Sequence, residues 1–167
     1  GWSRVLGARA RAVVLWARTV AGAAAGPAVP TIRQRAGAWS RDALGSDPVD
    51  TIGSSGCALT AVAMVTAGFG HPTNPAALNQ WLTVHGGYIQ NDLLLWRQAT
   101  ASSGGSVRWR WLHVPGFAPQ LRTDDQNIED LPPVSLVESE LDAGNLVAAA
   151  VRLMDKRHSV VRTALGG

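Results

Sequence analysis

From Cys57 the chain runs Cys57-Ala58-Leu59-Thr60-Ala61-Val62-Ala63-Met64, and Leu59, Val62, Ala63 and Thr66 recur at helical spacing. That stripe predicts a helix over 57–67 with one face in the core, ended by Gly68 and Gly70. Asn74 followed by Pro75 opens a second helix: a side-chain cap, then a residue whose φ is already helical. It runs through Trp81 to about Val84, and a third helix is expected over 91–100, around Leu94, Leu95 and Trp96. The period then changes. Val107-Arg108-Trp109-Arg110-Trp111 alternates with period two, which predicts a half-buried strand. Ser135 to Asp142 predicts a short helix with a Ser135/Glu138 capping box, Leu146 to Leu153 an apolar strand, and His158 to Thr163 another.

Helices therefore precede strands, which gives an α+β fold, and the short turns between consecutive strands require an antiparallel sheet. Residues 31–34 read as extended, 35–56 as a long loop, and the proline-punctuated stretch 116–133 as another. Gly26-Pro27-Ala28-Val29-Pro30 reads as a linker. It divides the chain into a basic N-terminal segment, residues 1–28, and a domain, residues 29–167. The N-terminal segment has two readings. Arg4, Arg9 and Arg11, the apolar run 12–17 and the small residues 21–25 resemble a degenerate export signal. At helical pitch, Arg4, Arg11 and Arg18 instead oppose Trp2, Leu6, Val13, Trp16 and Val20, a pattern suited to a membrane surface contacted by residues 1–25. Export or attachment at the cell envelope is favoured, with a cytoplasmic location as the alternative. No run reaches the ~20 apolar residues of a membrane span.

At 167 residues, 46% hydrophobic and 16% charged, the composition is globular, with length for one real core. The net charge of +3 hides an asymmetry: residues 1–41 hold seven Arg and no acid, while 42–167 hold eight basic and twelve acidic residues. A mildly acidic body argues against nucleic acid as a partner. Neither a phosphate-binding glycine loop nor clustered metal ligands occur, so no cofactor and no metal are expected. The seven Trp read as core and loop anchors rather than as a ligand platform.

Cys57 is the single cysteine, so no internal disulfide can form. A Gly/Ser turn delivers it to a helix start, where the macrodipole favours thiolate and the first N–H groups can hold an oxyanion. The alternative is a small buried hydrophobe. A thiol nucleophile needs a base. His71 and His85 sit in turns, and His113 closes the tryptophan strand. His158 opens an apolar strand after a charged turn and is the preferred base, with His113 second.

Gln34, Trp39-Ser40, Leu44-Gly45, Thr51-Ile52, Gly56-Cys57-Ala58-Leu59-Thr60, Ala63-Met64, Gly68-Phe69-Gly70, Pro75 to Asn79 and Trp81-Leu82 carry a resemblance, as do Leu141 to Val147 and His158-Ser159-Val160-Val161. Over 31–161 the chain resembles the bacterial papain-type cysteine peptidases related to bacteriocin-processing, double-glycine-leader peptidases. That resemblance implies a papain-like fold with Cys57 as nucleophile and His158 as base. It also implies that Gln34 and the Cys57 N–H bind the oxyanion. The chain departs from the pattern at Ser159, where relatives carry an aromatic, and at Leu146, where proline is common. Relatives also orient the histidine with a later Asp or Asn, and 159–167 holds neither, which implies either a C-terminally truncated chain without the last strands or a chain that has lost that residue. Asp155 is a strained substitute.

The expected activity is therefore hydrolysis of peptide or amide bonds in a peptide or protein substrate, by a monomer. A binding module that has lost turnover is the alternative, and a cell-wall amidase or endopeptidase a weaker one.

Overall fold

The computed structural model describes residues 14–19, 28–111, 134–153 and 156–162. Mixed helix and small antiparallel sheet make it an α+β chain in the broad sense. Strand β1 (Val14–Thr19) is followed by a short 3-10 helix, Ala38–Arg41, then α1 (Ile52–Ser55), α2 (Cys57–Gly68) and α3 (Pro75–Val84). A hairpin of β2 (Tyr88–Ile89) and β3 (Leu93–Leu94) leads to α4 (Trp96–Ala101) and β4 (Val107–Trp111). Helix α5 (Val134–Asp142), β5 (Leu146–Leu153) and β6 (Lys156–Arg162) complete the order.

Expected features recur closely. Helix α2 starts at Cys57. Asn74 caps α3, its side chain accepting from Ala77 N at 3.0 Å, with Pro75 next. Strands β4 and β5 fall where period and apolarity put them. Helix α5 begins one residue early, so Ser135 lies inside it rather than capping it. It ends in a Schellman turn, with Asn145 N on Glu140 O (3.0 Å) and Gly144 N on Leu141 O (2.9 Å).

Four elements differ from expectation. Strand β6 begins at Lys156 rather than at His158, so His158 is its third residue and Lys156 and Arg157 pair instead of turning. Residues 14–19 are a strand, not one side of an amphipathic helix: β1 pairs antiparallel with β4 (Trp16 opposite Arg110) and with β5 (Trp16 opposite Val147). Short apolar runs satisfy either period, and here two strands lacking a partner decide the outcome. The stretch expected as a helix over 91–100 splits into hairpin and shorter α4, because Gln90 (φ 50°) and Asn91 (φ 76°) take the left-handed conformation. The long loop ends in α1, whose start is a capping box: Thr51 accepts from Ser54 N and Ser54 Oγ accepts from Thr51 N. The expectations for residues 1–13, the loop 116–133, His113 and Asp155 fall outside the described residues.

The four-stranded sheet has the order β4-β1-β5-β6. Helix α2 packs on β6 and β5, α3 on α2, and α5 on β5. The main core gathers Leu44, Ile52, Leu59, Val62, Leu82, Trp96 and Ala148. Ile52, Leu59, Val62 and Leu82 are fully enclosed, each contributing about 1.5–3 kcal/mol by burial. A second cluster of Val65, Val107 and Leu146 closes the far end of α2. Among the described residues no helix is long and apolar enough to cross a membrane.

Candidate functional site

The backbone before Cys57 is fixed by polar bonds rather than by burial alone. Residues 42–52 form a closed loop: Leu44 N bonds Asp50 O and Ile52 N bonds Asp42 O, both at 2.9 Å. Inside it, Asp47 accepts from Asp50 N (2.7 Å) and Val49 N (2.8 Å). Those two N–H groups hold its carboxyl below the ordinary carboxylate value. Asp50 in turn accepts from the Ser55 (2.6 Å) and Ser54 (3.1 Å) hydroxyls. The loop therefore holds the turn that leads into α2 from two sides.

Two glycines let this turn exist. A Cβ on Gly53 would collide with the Ser40 carbonyl, and one on Gly56 would lie 2.6 Å from Ile52 O. Gly56 separates α1 from α2, so the helix restarts at Cys57. Thr60 donates to Gly56 O through its N–H (2.9 Å) and its hydroxyl (2.8 Å). The N–H groups of Cys57, Ala58 and Leu59 precede that first bond and lie outside α2's own ladder. Cys57 itself is half-buried and forms no disulfide.

Gln34 meets the same turn: its Nε2 donates to the Gly53 carbonyl at 3.1 Å. An amide nitrogen has two hydrogens, so this contact fixes the side chain and uses one donor. Two histidines are engaged elsewhere. His85 closes α3, stacked on Trp81 with ring centroids 4.0 Å apart, and its Nδ1 donates to the Trp81 carbonyl at 2.7 Å. His71 follows the opposite end of α2 from Cys57, about 18 Å away along the helix. The Ser106 hydroxyl donates to Ser103 O (2.6 Å) and so accepts from His71 Nε2. That bond ties the α2 exit to the start of β4. The His158 backbone lies in β6 opposite Val151, on the strand that α2 packs against. No group of three His, Cys, Asp or Glu side chains is arranged to hold a metal ion among the described residues.

Beside Cys57 opens a cleft of about 530 Å³, within the usual range for small-ligand sites. Ser55, Gly56 and Ala58 form one wall, while Leu44, Leu59, Tyr88, Leu94 and Trp96 supply most of the apolar surface. Cys57 flanks the cleft without lining it. Asp92 is the one carboxylate among its described lining residues, and its pKa is raised, first by burial and then by repulsion from Asp47 and Asp50. Burial, with Asp92 nearby, pushes the Tyr88 phenol up; its hydroxyl donates to Asn79 Oδ1 at 2.8 Å. Neither Tyr88 nor Asp92 stands out in the sequence, because the hairpin that presents them reads there as turn and helix.

Compared with family models, with curated proteins and with solved structures, the chain matches none.

Proposed function

We propose that the chain is a thiol hydrolase of papain-like arrangement that cleaves peptide or amide bonds. Cys57 Sγ attacks the substrate carbonyl carbon, and His158 takes the thiol proton. The tetrahedral oxyanion is held by the Cys57 N–H and by the Gln34 amide hydrogen not spent on Gly53. Collapse breaks the C–N bond, and the imidazolium gives its proton to the leaving amine. Water, deprotonated by the same imidazole, then hydrolyses the thioester and regenerates the thiol.

The observation that carries this reading is the packing of α2 on β6 and β5. Leu146, at the start of β5, packs against Gly68 at the C-terminal end of the helix. Ala148, further along, joins the cluster around Leu59 and Ile52. From Leu146 to Val151 a strand advances about 17 Å, and from Gly68 back to Cys57 a helix also rises about 17 Å. His158 is the partner of Val151 on the strand that α2 packs against, and a β5 running antiparallel to α2 would carry its backbone towards the Cys57 end of the helix. Gln34 adds support from a third element, since it is fastened to the carbonyl of Gly53. Export to the cell envelope, with a peptide or protein as substrate, belongs to the same proposal.

Cys57 is the only thiol in the chain, so alkylation reports on it without background. Iodoacetamide should label the native protein at pH 7 at least about tenfold faster than the urea-unfolded chain, the contrast expected of a nucleophile with a base beside it. His158→Ala should remove that advantage, and peptide hydrolysis should vanish in Cys57→Ala. Equal labelling rates in the native and unfolded chains overturn the reading, and peptide binding without turnover would leave the cleft a recognition site alone.

A further inference from the structure

The cleft beside Cys57 has a composition that selects among substrates. Its walls are long and apolar: Leu44, Leu59 and Leu94 with the rings of Tyr88 and Trp96. Among the described residues, no lining residue is cationic, and the one ionisable group besides Tyr88 is Asp92. The charges acting on Asp92 are those of Asp47 and Asp50, both of its own sign. Asp47 and Asp50 are held there by the closed loop 42–52, and that loop is fastened to the hairpin by Ser46 N on Asn91 O at 3.0 Å. The result is a largely apolar slot with one carboxylate, Asp92, on its described lining.

We infer that this slot takes the side chain of an arginine or lysine in the peptide substrate, its aliphatic stem along the apolar walls and its cationic head at Asp92. A purely apolar side chain would fill the walls but bring no counter-charge to Asp92. An acidic side chain would add a fourth negative charge. A long basic side chain satisfies both ends, since its methylene stem covers apolar surface while its head stays polar, and the volume of about 530 Å³ is ample for it. Gly56 and Ala58, the chain neighbours of Cys57, line the slot, so a side chain seated there lies beside the turn that carries the thiol. The role as substrate rests on the hydrolase reading; the preference for a cation rests on the cleft alone.

The test separates the two. Cys57→Ala protein, which cannot turn over, is titrated with fluorescein-labelled Ala-Ala-X-Ala-Ala-amide, X being arginine, its neutral isostere citrulline, or norleucine. Arginine should bind about tenfold more tightly than citrulline, the size expected of one charge-assisted contact. The preference should fall to near unity in Asp92→Asn, and should shrink with added salt in the Cys57→Ala protein itself, which needs no second variant. Equal binding of arginine and citrulline peptides, or a preference that survives both Asp92→Asn and high salt, overturns the inference. With Cys57 intact, hydrolysis at equal rates for arginine and citrulline overturns it while leaving the hydrolase reading in place. Arginine-selective binding with no hydrolysis supports it and removes the hydrolase reading instead.

Discussion

Residues 34–108 and the four-stranded sheet solve the same problem by different means. In the loop-and-helix part, position is set locally by side chains that bond backbone a few residues away: Asp47 onto Val49 and Asp50, Thr51 onto Ser54, Asn74 onto Ala77. In the sheet, position is set by pairing across large separations, as when Val14–Thr19 lies between Val107–Trp111 and Leu146–Leu153. The proposed nucleophile belongs to the first part and its base to the second. The backbone carrying Cys57 can thus be perturbed alone, whereas disturbing the sheet moves His158 and loosens α2 together.

The largest effect should come from the sheet. A chain starting at residue 28 lacks β1, so β4 and β5 each lose a partner and two edges are left open. The loss is about 5 kcal/mol or more, comparable to the whole net stability of a small domain. Circular dichroism should show no cooperative thermal transition, and size-exclusion chromatography should show aggregates. A well-folded truncated chain would mean that β1 is dispensable and that the contrast between the parts is overstated.

Asn79 is the matching point in the loop-and-helix part. Buried on α3, it accepts from Gly45 N (2.9 Å) and Tyr88 OH (2.8 Å) and donates to Ala43 O (2.9 Å). It thereby joins the closed loop, the hairpin and α3. Asn79→Ala orphans all three partners and should cost about 2–4 kcal/mol, read as a lower urea midpoint with unchanged m-value. The sheet should survive, so the strand signature in the far-ultraviolet spectrum below the midpoint should stay native. A loss under about 0.5 kcal/mol would show that water replaces these bonds without penalty.

The same division explains what could be read from the chain. Helices α2 and α3 were legible because stripe, cap and stop signals lie within a dozen residues of one another. Cys57 was legible for the same reason: a Gly/Ser turn and an apolar helix flank it directly. Strand β1 was not, because Val14 to Ala17 carry no period of their own and their partners lie about ninety or more residues away. Asp92 and Tyr88 escaped notice because the left-handed residues Gln90 and Asn91 turn a helix-like stretch into a hairpin. The Thr51/Ser54 box did carry a signal, but serine is a less familiar third-position partner than glutamate or glutamine.

The smallest effect sharpens the comparison within the loop-and-helix part itself, where two neighbouring carboxylates respond to pH in opposite senses. Asp47 is held below its ordinary value by N–H groups of its own loop; it therefore stabilises the fold above that value, and the contribution is lost as pH falls through its folded pKa. Asp92 is raised, by burial and by repulsion from Asp47 and Asp50, so its ionised form opposes folding at neutral pH. That penalty is relieved as pH falls through its folded pKa towards the ordinary carboxylate value. Asp92→Asn should accordingly raise stability at pH 7 by about 0.5 kcal/mol or less, since Asp92 is partly solvated and screened. The gain should disappear once the pH lies below the ordinary carboxylate range, where the native residue is neutral as well. Urea midpoints of both proteins at pH 7 and pH 3.5, at low and high salt, measure it directly. A carboxylate that weakens the fold in this way is a group whose charge is answered by something other than the fold, and a gain that grew at low pH would remove that interpretation of Asp92.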